Sequence, residues 1–133
     1  MTPAVSRQDE SARWLEQARK DLNAARLLAL EEPSRSVFHS QQAAEKAAKA
    51  FLTFHDVVFR KTHDENEIGG QCVALNPSLA ALFKEASVLT DYAVLFRYLD
   101  APREPDESEA AAALDTAALV FQQISTLIGA GSS

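Results

Sequence analysis

Four glycines and a single cysteine among 133 residues exclude a good deal. One thiol, Cys72, cannot form an internal disulfide, which suits a reducing compartment and leaves the fold to packing. Scarce glycine beside frequent alanine disfavours a turn-rich β fold and favours helix. No run approaches the ~18 consecutive apolar residues that read as a membrane span. The N-terminal MTPAVSRQDESARW lacks a basic region followed by an apolar core, so no secretory signal is expected and the cytoplasm is the simplest location. Positive charge is short as well. A net charge of −6 makes the chain a poor general nucleic-acid binder, because that binding rests on a basic surface releasing phosphate counterions. Three histidines without regular spacing and one cysteine make no metal site. Neither a glycine-rich phosphate loop nor a Ser-His-Asp order stands out, and no cofactor is expected.

What is present is enough for one domain, expected over 1–133 with an ordered core of about 7–128. Apolar residues at 47% and charged residues at 24% are ordinary for a globular protein. Leu15, Ala18, Leu22, Ala25 and Ala29 recur at helical steps and place a first helix over 7–32, with Ser6 and Asp9 at capping-box spacing and Trp14 beside the stripe. Pro33 stops it and Ser34 caps a second helix that runs to about Asp56, with Val37, Ala44, Ala48, Phe51 and Leu52 on one face. The short connection makes these two antiparallel. Residues 57–63 read as a loop and 64–75 as a short helix interrupted by Gly69 and Gly70. Asn76-Pro77 starts a fourth helix, apolar nearly all round and expected to run to about Leu99, buried on two sides. DAPREP breaks it. Asp106 and Glu109 cap a last helix with a stripe of Ala110, Ala113, Leu114, Ala117, Phe121, Ile124 and Ile128, and GAGSS is expected to fray. The fold class is all-α: an antiparallel up-and-down bundle of four long helices plus one short helix.

The charge is uneven. Arg35 to His63 holds five basic residues against two acidic, and Asp100 to Glu109 five acidic against one basic. Within the basic stretch, His39, Gln42, Lys46, Lys49 and Thr53 fall in an arc of roughly 80° of the second helix, opposite the apolar stripe. One reading is a solvated face with Glu45 paired to Lys49 at i,i+4. The other is a ligand face: imidazole, amide and ammonium groups in register can bind a base or a phosphate. Arg60, Lys61 and His63 would converge on the same anion if their loop folds back.

The sequence also resembles a known family. A first helix with W-L-x-x-A-x-x-D-L (Trp14, Leu15, Ala18, Asp21, Leu22) is followed by F-H-S-Q-Q-A-A-E-K-A-A-K-A from Phe38 to Ala50. Then come K-T-H from Lys61 to His63 and a Tyr92…Arg97-Tyr98-x-Asp100 element. Together these are similar to the HEPN domain over about residues 8–128. The resemblance implies an up-and-down bundle, commonly a homodimer. It implies association with a minimal nucleotidyltransferase in toxin–antitoxin-like or substrate-binding roles, and nucleotide binding in some members. In others it implies metal-independent ribonuclease activity, often as a toxin. The ribonuclease pattern, an Arg followed by a His with about four to six residues between, sets a cation for the phosphorane beside a general acid or base. This chain departs from it: three residues separate Arg35 from His39, two separate Arg60 from His63, and no His follows Arg97.

The candidate binding residues are therefore His39, Gln42, Lys46, Lys49, Arg60, Lys61, His63, Arg97 and Tyr98, with His39, His63 and Arg97 as catalytic candidates. His55 is expected in the core, Tyr92 in the core rather than stacked on a base, and Cys72 as an inert apolar residue. Arg97 either satisfies helix-terminal carbonyls or Asp100, or contacts a phosphate near a dimer seam. Three functions follow: a dimeric module that binds a nucleotide or a nucleotidyltransferase partner, a ribonuclease acting on RNA, or a purely structural helical dimer.

Overall fold

Five alanines between Ala43 and Ala50, all buried, set the centre of the molecule. They belong to α2 (Pro33–Phe54), the helix on which the others pack. Around it lie α1 (Ala4–Leu28), α3 (Glu65–Leu75), a 3-10 turn (Pro77–Leu79) leading into α4 (Ala80–Leu95), and α5 (Glu107–Ser132). The computed structural model describes residues 4–59, 65–95 and 104–132. Among these there is no strand, and Val57 to Phe59 carry no regular structure. The expected bundle of four long helices and one short one is what forms.

Alanine side chains let neighbouring helices approach α2 closely from several directions. α1 and α5 cover one side; α3 and α4 cover the other. Leu22, Val37, Phe51, Leu52, Ile68, Leu79, Leu82, Leu89, Val120 and Ile124 fill the space between. Two serines fix the register of α1 against α2. Ser11 Oγ donates to the Ala50 carbonyl at 2.8 Å, and Ser36 Oγ donates to the Ala25 carbonyl at 2.7 Å. One donor comes from each helix, at opposite ends of the seam, and both bonds fit a single antiparallel register. Of the predicted stripes, Ala18, Leu22 and Ala25 on α1, all five α2 positions, and Ala110, Ala113, Ala117 and Ile124 on α5 are buried. Leu15, Leu114, Phe121 and Ile128 are only partly buried, Ala29 lies beyond the end of α1, and Val120 joins the α5 core.

The helix ends differ from several expectations, each for a local reason. α1 begins at Ala4, so Ser6 and Asp9 lie inside the helix rather than in a capping box. Pro33 does not stop α1; it is the first residue of α2, where the missing N–H is not needed. Glu32 occupies the N-cap position with no side-chain cap bond, so Ser34 is inside the helix. α2 ends in a Schellman arrangement. Val57 N bonds Leu52 O at 2.9 Å, Asp56 N bonds Thr53 O at 3.0 Å, and Asp56 takes a left-handed φ of 56°.

The start of α4 is as read: Asn76 Oδ1 accepts from the Ser78 backbone N–H and hydroxyl. α4 packs on α2, α3 and α5, yet Ala81, Lys84, Glu85, Val88 and Asp91 stay exposed, so it is less enclosed than its composition suggests. At α5 the capping box is reciprocal. Asp106 Oδ1 accepts from Glu109 N at 2.8 Å, and Asp106 N donates to Glu109 Oε1 at 3.2 Å. Helical backbone continues to Ser132, through the GAGS stretch expected to fray. By length and composition α5 could cross a bilayer over Glu107–Gly129; its stripe of Ala110, Ala113, Ala117, Val120 and Ile124 is buried in the bundle.

Candidate functional site

Asp21 organises one edge of α2. It neighbours Leu22 in the α1 stripe that packs on α2, so its carboxylate is carried into the seam between the two helices and buried there. Oδ1 lies 2.8 Å from His39 Nδ1, and Oδ2 accepts from Lys46 Nζ at 2.6 Å. His39 and Lys46 sit two turns apart on one face of α2 and reach the two oxygens of one carboxylate. A neutral imidazole that donates a hydrogen bond from Nδ1–H to Asp21 carries its lone pair on Nε2. The His39 side chain is 32% exposed, and Nε2 has no protein partner among the described residues.

Lys49, 14% exposed, lies 3.6 Å from Glu45 Oε2. Its ammonium also stands 5.2 Å from the centre of the Trp14 ring and 5.9 Å from that of Phe59. The two rings meet edge to face at 6.4 Å. A desolvated cation over aromatic faces is stabilised by about 0.5–2 kcal/mol. Gln42 Nε2 donates to Gln41 Oε1 at 2.8 Å. The polar face of α2 is therefore no open solvated strip, although the Glu45–Lys49 pair of that reading is present. His39 and Lys46 converge on Asp21, whereas Gln42 and Lys49 turn toward Gln41 and Glu45.

Gln41 and Glu45 lead to the other flank. A pocket of about 290 Å³ lies between α2, α3 and α4, close to the lower end of the roughly 300–1,000 Å³ usual for small-molecule sites. Ala44, Ala48, Ile68, Val73 and Phe83 form apolar walls, and Gly69 and Gly70 leave one wall as bare backbone. A Cβ at Gly69 would stand 3.1 Å from Phe83 Cδ1, so the glycine permits the close α3–α4 contact; at Gly70 a Cβ would meet nothing within 4 Å. The polar lining is the Gln41 amide, the Glu45 carboxylate, the Lys84 ammonium and the Ser87 hydroxyl. Such a mixture, mostly apolar with a few convergent polar groups, suits a small organic ligand. Gln71 Nε2 donates to Val58 O at 3.2 Å, which ties the stretch just before residue 60 to α3.

Arg60, Lys61, His63, Arg97 and Tyr98 lie outside the described residues, as does the side chain of Tyr92. His55 is not in the core: it ends α2, exposed, against the edges of Phe51 and Phe54. Cys72 is buried as expected. Its thiol donates to Ala48 O at 3.5 Å, and burial pushes its pKa up to about 12. No group of three metal-ligating side chains occurs among the described residues.

Residue reasoning passed over Asp21, Gln41, Glu45 and Trp14 as site residues. For Asp21 a signal existed, a carboxylate set into an apolar stripe, which marks a charge that must find partners when buried. Glu45 carried the same signal among the alanines of α2.

The family model described as the HEPN domain matches residues 11–127. Among solved structures, the crystal structure of ST0689, an archaeal HEPN homologue, is similar at 23% identity and a TM-score of 0.72. The match covers 89% of this chain and 97% of that one. No curated protein matches.

Proposed function

Because the chain belongs to the HEPN family, we propose that it is a binding module whose ligand is a nucleotide, seated in the pocket between α2, α3 and α4. The observation that carries this reading is the pocket's chemistry. Apolar walls and the Phe83 ring suit the flat face of a base, while an amide and a carboxylate can read its hydrogen-bonding edge. Two contacts, Gln42 to Gln41 and Lys49 to Glu45, join the pocket to the polar edge of α2. In this reading the phosphates leave the pocket past Lys84, and Arg60, Lys61, His63, Arg97 and Tyr98 are further candidate contacts that lie outside the described residues.

A second copy of the chain and a minimal nucleotidyltransferase are the partner classes that go with this role. Lys46 and Lys49 are already paired with Asp21 and Glu45, which supports binding over RNA cleavage by this face. The test is thermal denaturation with millimolar ATP or GTP. A higher melting temperature, lost in Gln41→Leu and weakened in Lys84→Glu, is expected. No shift with either nucleotide, together with no nucleotidyltransferase recovered in a pull-down, would retire the proposal.

A further inference from the structure

The Asp21–His39 pair faces away from the pocket and has a chemistry of its own. Asp21 holds the imidazole in one tautomer and one orientation, through a 2.8 Å contact to Nδ1. That leaves Nε2 as an oriented nucleophile at a solvent-reachable edge. The groups around the ring are suited to an incoming anion. Lys46 shares the carboxylate at 2.6 Å. Arg35 stands one turn before His39 on the same face, exposed and held, among the described residues, by a 4.0 Å contact to Glu32. Gln42 follows almost one turn later. Phe38 lies edge-on to the ring at 5.5 Å and walls one side.

We propose that His39 Nε2 is a phosphoryl-acceptor site, which takes a phosphoryl group from a small activated donor of the phosphoramidate or acyl phosphate class. The Nε2 lone pair attacks phosphorus in line with the bond to the leaving group. A P–N bond forms as the P–O bond to the carboxylate, or the P–N bond to ammonia, breaks and takes its electron pair away. The acyl donor leaves as carboxylate and phosphoramidate as ammonia, protonated from solvent. The Nδ1 proton stays on the ring, and the positive charge that develops there faces Asp21. Arg35, exposed one turn before His39, is the cation available to neutralise the phosphoryl oxygens, while Lys46 stays on the Asp21 carboxylate that faces Nδ1. No oxidant, reductant or metal is required. The site does not depend on the nucleotide reading, which rests on the opposite flank of α2.

His55 provides the control within the same chain. It is more exposed than His39 but lacks a carboxylate on Nδ1 among the described residues. The protein is incubated with phosphoramidate, and acid-labile phosphorylation is mapped by mass spectrometry under alkaline conditions over time. His39 is expected to label about tenfold faster than His55 or more, in line with the effect of an orienting carboxylate on a functional histidine. Asp21→Asn, checked for retained helicity by circular dichroism, should bring His39 down to the His55 rate, because an amide can present N–H to Nδ1 and invert the tautomer. His55 labelling as fast as His39, or no label on His39, overturns the proposal in the wild-type protein, whatever the variant does.

Discussion

On its α1 flank, α2 presents Ser36, His39 and Lys46, and each meets a partner across the seam: the Ala25 carbonyl for the first, Asp21 for the other two. On its α3–α4 flank the same helix presents Gln41 and Glu45, and these line a pocket. The residue types are alike, and the opposing surface makes the difference. α1 runs alongside α2 in a fixed register and carries a carboxylate at the right height. α3 is short, with two adjacent glycines, and α4 faces α2 with Phe83, Ala86 and Ser87. On the first flank a neighbouring helix encloses the polar groups; on the second, Gln41 and Glu45, paired to Gln42 and Lys49, border a space large enough for a small ligand.

The sharpest way to break this comparison is to remove the partner on the closed flank. Asp21→Leu leaves Lys46 and His39 without their carboxylate in a half-buried seam. It should cost about 3 kcal/mol of stability in urea unfolding, most of it from the stranded ammonium. A loss below about 1 kcal/mol would mean that the seam is as permissive as the pocket.

Alkaline pH tests the burial of the α3 side. The Cys72 thiol, raised from 9.0 to about 12 in the folded state, stays protonated while the unfolded thiol ionises. The unfolded state then binds fewer protons, so stability falls as pH rises from 9 toward 12, by roughly 1 kcal/mol at pH 10. The slope over that window should be shallower in Cys72→Ala. Native Cys72 should also resist alkylation at neutral pH until denaturant is added.

The two register serines come next. Ser11→Ala and Ser36→Ala should each cost about 1 kcal/mol. Because the sites are at opposite ends of the seam, the double variant should be additive.

The open flank predicts the opposite sign. Gly70→Ala replaces a glycine within a helix where nothing stands within 4 Å. It should stabilise the ligand-free protein by about 0.5–1 kcal/mol while weakening nucleotide binding. Gly69→Ala should gain nothing, since its Cβ would press on Phe83. The smallest effect is expected at Asp56→Gly. Relief of the left-handed backbone and loss of the 3.8 Å contact to Arg7 nearly cancel, leaving a change of about 0.5 kcal/mol or less.

The helices were legible in the sequence because their apolar stripes are regular. The stripes of α1, α2 and α5, the Asn76-Pro77 start and the Asp106/Glu109 cap all rest on local chemistry that one segment carries by itself. Pro33 misled because proline suits both the residue after one helix and the first residue of the next, and only the Leu28–Glu32 turn shows which applies. His55 was misplaced by assuming that helical phase continues to the last turn, where α2 instead unwinds into the left-handed Asp56. His39, Gln42, Lys46 and Lys49 share one edge of α2 as the periodicity predicts, but His39 and Lys46 meet Asp21 while Gln42 and Lys49 meet Gln41 and Glu45. Their meaning depends on Asp21, Trp14 and the pocket, which come from other helices, and no pattern within α2 encodes the height at which α1 sets its carboxylate.

The account turns on the difference between the two flanks, and calorimetric titration of a nucleotide into wild type, Gln41→Leu and Asp21→Asn measures it directly. Heat of binding in the wild type that vanishes in Gln41→Leu and persists in Asp21→Asn is the expected outcome. Binding that survives Gln41→Leu but is abolished in a folded Asp21→Asn would place the ligand on the α1 side and contradict the account.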